Sequence, residues 1–94
     1  MKKRIGGAFM PADEYGRSLR NGIGVNLLLQ EVAPMAEFMR QVLSAELIYA
    51  DEDFAALAVL GSSVMLHADH TYLDHPLHGV VSGVEARGIG VEIR

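Results

Sequence analysis

A chain of 94 residues with a net charge of −4, half of it apolar and none of it cysteine, makes at most one small domain without disulfides, cysteine-bound zinc or a thiol nucleophile. Its apolar content excludes a disordered tail, and no apolar run approaches the roughly 18 residues of a membrane helix or follows the pattern of a secretory signal, so a cytoplasmic setting away from any membrane is expected. No lysine or arginine stands between Arg40 and Arg87, which leaves only terminal charge for a nucleic-acid backbone, and nucleic acid is not an expected partner.

Residues 1–21 read as an irregular segment, broken by Gly6, Gly7, Pro11 and Gly16. Within it "PADEYGRSL" allows one short helix, because Pro11 suits a first helical position and Asp13 and Glu14 suit a first turn. "GVNLLLQEV" (24–32) reads as the first strand, its continuous aliphatic centre fitting a strand covered on both faces. "PMAEFMRQVLSAE" follows as an amphipathic helix opening at Pro34, with Met35, Phe38, Met39, Val42 and Leu43 on the apolar stripe and Glu37, Arg40 and Gln41 on the wet side. "ELIYA" (46–50), "FAALAVL" (54–60) and "VMLHA" (64–68) read as three strands. The short "DED" and "GSS" connections between them predict antiparallel hairpins. A connection with little regular signal runs over 69–87, and then "GIGVEIR" (88–94) repeats the "GIGVNLL" of residues 22–28. The chain thus reads as a complete βαβββ unit over 22–68, a long connection, and the first strand of a second unit.

That order, with "AEFMRQVLSAELIYAD" and "VMLHAD" in these places, resembles the glyoxalase/bleomycin-resistance group, the vicinal oxygen chelate superfamily. "EFMRQVLSAE" is similar to the family's aromatic-rich helix ending in Val-Leu-Gly, with Ser44 in place of the glycine. The resemblance covers residues 22–94. It implies an α+β fold, a mixed sheet with one amphipathic helix on one face, in which two modules curl around one pocket. Nothing in the sequence is evident as a cover for the second sheet face, and an uncovered apolar face is unfavourable. Completion by a second chain is therefore expected, as a homodimer in which 88–94 joins the partner's sheet by domain swapping. The other reading is that the sequence is a fragment of a longer two-module protein.

The resemblance also implies metal-ligand positions, which fall near Gly24, Met65 and Gly90. Glycine has no ligand atom and methionine suits hard or borderline ions poorly, so no metal or other cofactor is expected. A two-residue shift keeps strand parity and offers Asn26, His67 and Glu92, of which His67 and Glu92 would be the metal ligands. If the implied positions Gly24 and Met65 face the pocket, alternation along each strand turns Asn26, Leu28, Gln30, Ser63 and His67 the same way, and Glu92 and Arg94 follow Gly90 on the added strand. This mostly apolar face with a few polar groups suits a small amphipathic ligand. The ligand-binding candidates are thus Asn26, Leu28, Gln30, Met65, His67 and Glu92.

All four histidines lie in "HADHTYLDHPLH" (67–78). His70, Tyr72, His75 and His78 are loop candidates whose role, as metal ligands, ligand contacts or ordinary loop residues, the spacing leaves open. No catalytic residue is assignable. "GSS" lacks the G-x-S-x-G frame, and Gly22 and Gly24 precede a strand where a dinucleotide fingerprint must follow one. The expected function is a metal-independent small-molecule-binding protein of the glyoxalase/bleomycin-resistance type. The alternatives are a metal-dependent lyase, isomerase or dioxygenase with shifted ligands, and a structural half-domain acting only as an assembly element.

Overall fold

In the computed structural model, which describes residues 9–19, 22–71, 76–81, 87 and 90–92, eight elements follow one another. They are α1 (Ala12–Ser18), β1 (Val25–Leu29), α2 (Val32–Val42), β2 (Glu46–Ala50), β3 (Phe54–Val59), β4 (Ser62–Ala68), a 3₁₀ turn (Asp69–Thr71) and α3 (His78–Val81). The four strands form one mixed sheet in the order β1-β4-β3-β2. β1 runs parallel to β4, and the other two pairings are antiparallel. The protein is an α+β domain.

Turn chemistry explains the antiparallel half. Asp51 organises the β2–β3 connection: its Oδ1 accepts the backbone N–H groups of Asp53 and Phe54, each at 2.8 Å, and its Oδ2 accepts the Tyr49 hydroxyl at 2.6 Å. An aspartate bonding the backbone two and three residues ahead holds the chain in a turn, and the Asp51 N–H closes it by donating to the Phe54 carbonyl at 2.8 Å. Between β3 and β4 the turn is Leu60-Gly61, with φ of 50° and 83°; Ser62 and Ser63, expected in the turn, already belong to β4. Two central residues at positive φ match the twist of a hairpin's strands.

β1 is shorter than expected. It ends at Leu29, and the tail of the expected strand is the start of α2, where Val32 is buried. Pro34 sits within the first helical turn, where its missing N–H breaks no intrahelical bond. At the other end of α2, Ser44 takes a φ of 54°, and the Ala45 N–H closes onto the Met39 carbonyl at 3.0 Å. This left-handed position is one that favours glycine.

The core lies between α2 and one sheet face. Val32, Met35, Ala36 and Met39 pack on Leu27, Leu29, Ala55, Leu57, Val64, Leu66 and Ala68. The helix is therefore rotated from the expected stripe: Phe38 is 50% exposed, and Val42 and Leu43 are exposed as well. The reason is steric. Ala36 faces a sheet surface that includes Ala55 and Ala68, and small side chains on both sides bring the helix close, whereas a phenyl ring at the contact would hold it off.

The second sheet face, expected to have no cover within the chain, is partly covered by residues 9–19. Phe9 stacks on Tyr49, Tyr15 packs edge-on against Phe54, and Leu19 approaches the sheet so closely that a Cβ on Gly24 would meet its Cδ1 at 3.0 Å. The short helix that "PADEYGRSL" allows is formed, with Pro11 one place before its first residue. Of the expected strand 88–94, Gly90, Val91 and Glu92 are described and lie outside any strand; the others fall outside the described residues. Among the described residues no helix is long and apolar enough to cross a membrane.

Candidate ligand-binding site

Alternation along β4 puts Val64, Leu66 and Ala68 beneath α2, and so turns Ser63, Met65 and His67 to the opposite face. The parallel register then sets Asn26 beside Met65 and Leu28 beside His67. On that face His67 Nδ1 lies 2.6 Å from Asn26 Oδ1. The amide oxygen only accepts, so Nδ1 carries the proton and donates, which fixes the ring's orientation from a rigid strand.

An aromatic cluster adjoins this pair through Phe54. Phe54 is the register partner of His67 across β3 and β4, with ring centroids 4.7 Å apart. Phe9 lies over Tyr49 at 4.4 Å and 22°, and beside Phe54 at 6.4 Å and 26°. Tyr15 meets Phe54 nearly at right angles, at 5.8 Å and 88°. Four of the six phenylalanine and tyrosine residues of the chain gather here, so the face is an aromatic wall ending in an imidazole–amide pair. Burial of the Tyr15 ring pushes its hydroxyl above the ordinary tyrosine range, since the phenolate is less well solvated there.

The other candidates sit elsewhere. Gln30 lies just past β1 and, with Leu29, Glu31, Pro34, Met35 and Arg87, lines an open cleft of about 330 Å³ at the mouth of α2. Glu92 is exposed. His70, in the 3₁₀ turn, directs Nε2 to Asp53 Oδ1 at 2.6 Å. Asp53 is 1% exposed and is the buried charged side chain among the described residues, so this contact gives a buried carboxylate a donor. His67 and His70 thus turn to different partners. Tyr72 and His75 lie outside the described residues, as does the side chain of His78. Among the described residues no three His, Cys, Asp or Glu side chains converge on a point that would hold a metal ion.

Arg87, marked in the sequence only as the first cation after Arg40, forms a clamp. It makes two bonds to Asp69, at 2.8 and 2.6 Å, and donates to the carbonyls of Leu28 and Val81 at 2.9 and 2.8 Å. Hydrogen bonding to Asp69 raises the guanidinium further above its already high range. The sequence signal for this clamp was the isolation of one cation among carboxylates. The aromatic wall had a weaker signal, because Phe9 and Tyr15 lie in a segment without a period. The chain matches no family model and no curated protein.

Proposed function

We propose that this is a metal-independent small-molecule-binding protein of the glyoxalase/bleomycin-resistance type, whose ligand contacts the sheet face of Asn26, Met65 and His67. The observation that carries the reading is the His67–Asn26 hydrogen bond at the edge of an aromatic wall. It offers one oriented polar group within apolar surroundings, the usual make-up of a small-ligand site. The strand-helix-strand-strand-strand order and the left-handed Ser44, at the position where the resembling family has glycine, support the family assignment. The metal-dependent alternative would use the Nε2 of His67, whose Nδ1 is held by Asn26, and among the described residues no three His, Cys, Asp or Glu side chains converge to complete such a site.

The test is a thermal-shift and calorimetric screen with small amphipathic compounds, followed by His67→Ala. The expected result is a binder whose affinity falls about tenfold in the variant, the equivalent of about 1.4 kcal/mol and in the range of one hydrogen bond. The fold should remain, since His67 is only half-buried. A binder with unchanged affinity for His67→Ala would remove this face from consideration, and a screen without any binder would remove the function.

A homodimer belongs to the same proposal, although its support differs from the uncovered face expected at first. β2 is an edge of the sheet, and Leu47 and Ile48 on it are exposed, as are Phe38, Val42 and Leu43 of the adjoining α2. An open apolar edge without a lysine or proline is suited to pairing with a second copy about a two-fold axis. Sedimentation equilibrium is expected to give twice the 10.2 kDa chain mass, and Ile48→Lys is expected to return the monomer mass. A parent protein that is already monomeric at tens of micromolar would end this part of the proposal.

A further inference from the structure

We propose that the place held by Phe9 is the ring subsite of the ligand, that the ligand is a flat aromatic compound with a hydrogen-bonding substituent, and that residues 9–19 form a strap it displaces. The inference rests on the small-molecule reading above and names the ligand class for that face. Phe9 is nearly parallel to Tyr49 and Phe54 at 4.4 and 6.4 Å, and Tyr15 presents its ring 6.5 Å away at 68°. A flat ring in this position meets the two ring faces of Tyr49 and Phe54, a favoured aromatic geometry, while Tyr15 leaves with the strap. His67, its ring 4.7 Å from Phe54, is the polar group next along the wall and the one offered to a substituent of such a ring. The described arginine side chains pair elsewhere: Arg17 with Asp13, Arg40 with Glu37, and Arg87 with Asp69. The polar groups that the described residues turn to this face are His67 and Asn26, which suits a hydrogen-bonding substituent.

The strap is built to leave. α1 has seven residues, no side-chain hydrogen bond at its N-terminal cap and no buried residue, and an isolated helix of that length does not hold itself together in water. Phe9 remains 37% exposed while stacked. The segment is held to the sheet by side chains, Phe9, Tyr15 and Leu19, and not by strand pairing. Phe9 therefore acts as an internal competitor: an external ring binds only to the fraction of molecules in which the strap is off, and its apparent affinity is reduced by that fraction.

The test uses the whole chain and 2-naphthol as the probe, titrated by calorimetry and by NMR observation of the aromatic protons, with circular dichroism to confirm folding. Phe9→Ala is expected to bind 2-naphthol at least tenfold more tightly than the parent, with shifts at Tyr49 and Phe54. Phe9→Leu keeps an apolar cover without a flat ring, and is expected to give a smaller gain; it serves if the alanine variant unfolds. Equal affinity of parent and both variants overturns the strap while leaving the small-molecule reading intact, as does binding that leaves Tyr49 and Phe54 unmoved. Absence of 2-naphthol binding in every form overturns the ring subsite, and the His67→Ala comparison with the screened binder then decides the wider reading separately.

Discussion

Leu66→Ala is expected to lower the free energy of unfolding by about 3–5 kcal/mol, the cost of a buried leucine truncated where the surroundings do not close in. Leu66 is fully buried on β4, between β1 and β3 and beneath α2. Its buried neighbours include Ala36, Ala55 and Ala68, which have no side-chain freedom with which to fill a gap. The loss would consume much of the stability of a domain at the small end of the usual 5–15 kcal/mol range. Urea denaturation measures it directly. Phe38→Ala belongs in the same experiment as the contrast: with half its surface already in water, its loss is expected to cost no more than about 1 kcal/mol. A reversal of the two magnitudes would mean that α2 lies on the sheet by its other face.

Arg87→Ala is the second large effect, about 1.5–3 kcal/mol, the range for hydrogen bonds to charged groups. The substitution removes the donor to Asp69 and to two backbone carbonyls at once. Asp69, whose side chain is 18% exposed, would keep its charge and lose its bidentate partner, and that penalty is larger than the net worth of the pair. Arg87→Lys is expected to recover little, since an ammonium cannot reproduce the two parallel bonds. The measurement is again urea denaturation, with backbone hydrogen exchange in β1 as a local readout. A full rescue by lysine would show that charge alone, and not the fork geometry, fastens this residue.

Which parts of the fold were legible follows from where the information lies along the chain. β2, β3 and β4 could be read closely because each is bounded by its own turn residues, Asp51 on one side and Leu60-Gly61 on the other. The parallel pairing of Val25 with Val64 has no local signal. The face of α2 was misread because hydrophobic counting favours Phe38 over Ala36, whereas close packing against alanines favours the reverse. At the candidate site, alternation within each strand put Asn26 and His67 on one face only once the family resemblance had tied Gly24 and Met65 to a common pocket. Their hydrogen bond needed the register between two distant strands, and the aromatic wall needed a segment that Gly16 and Pro11 strip of any period. Arg87 stood out by its isolation, but its four acceptors come from three separate stretches of chain, and no spacing rule joins them.

The parallel β1–β4 pairing also bears on how the chain reaches its fold. β2, β3 and β4 are joined by short turns, so their contacts close small loops and form at little entropic cost. β1 finds its partner only after α2 and both hairpins have been traversed, as the pairing of Val25 with Val64 requires. The meander is therefore expected to assemble first, with β1 and the α2 crossover docking on it late. In a kinetic denaturation series, substitutions at Leu57 should slow folding, while those at Leu27 or Leu29 should mainly hasten unfolding. The strand that carries Asn26 would then be the last to join the sheet, so that in folding the polar pair of the candidate site forms only at the final step.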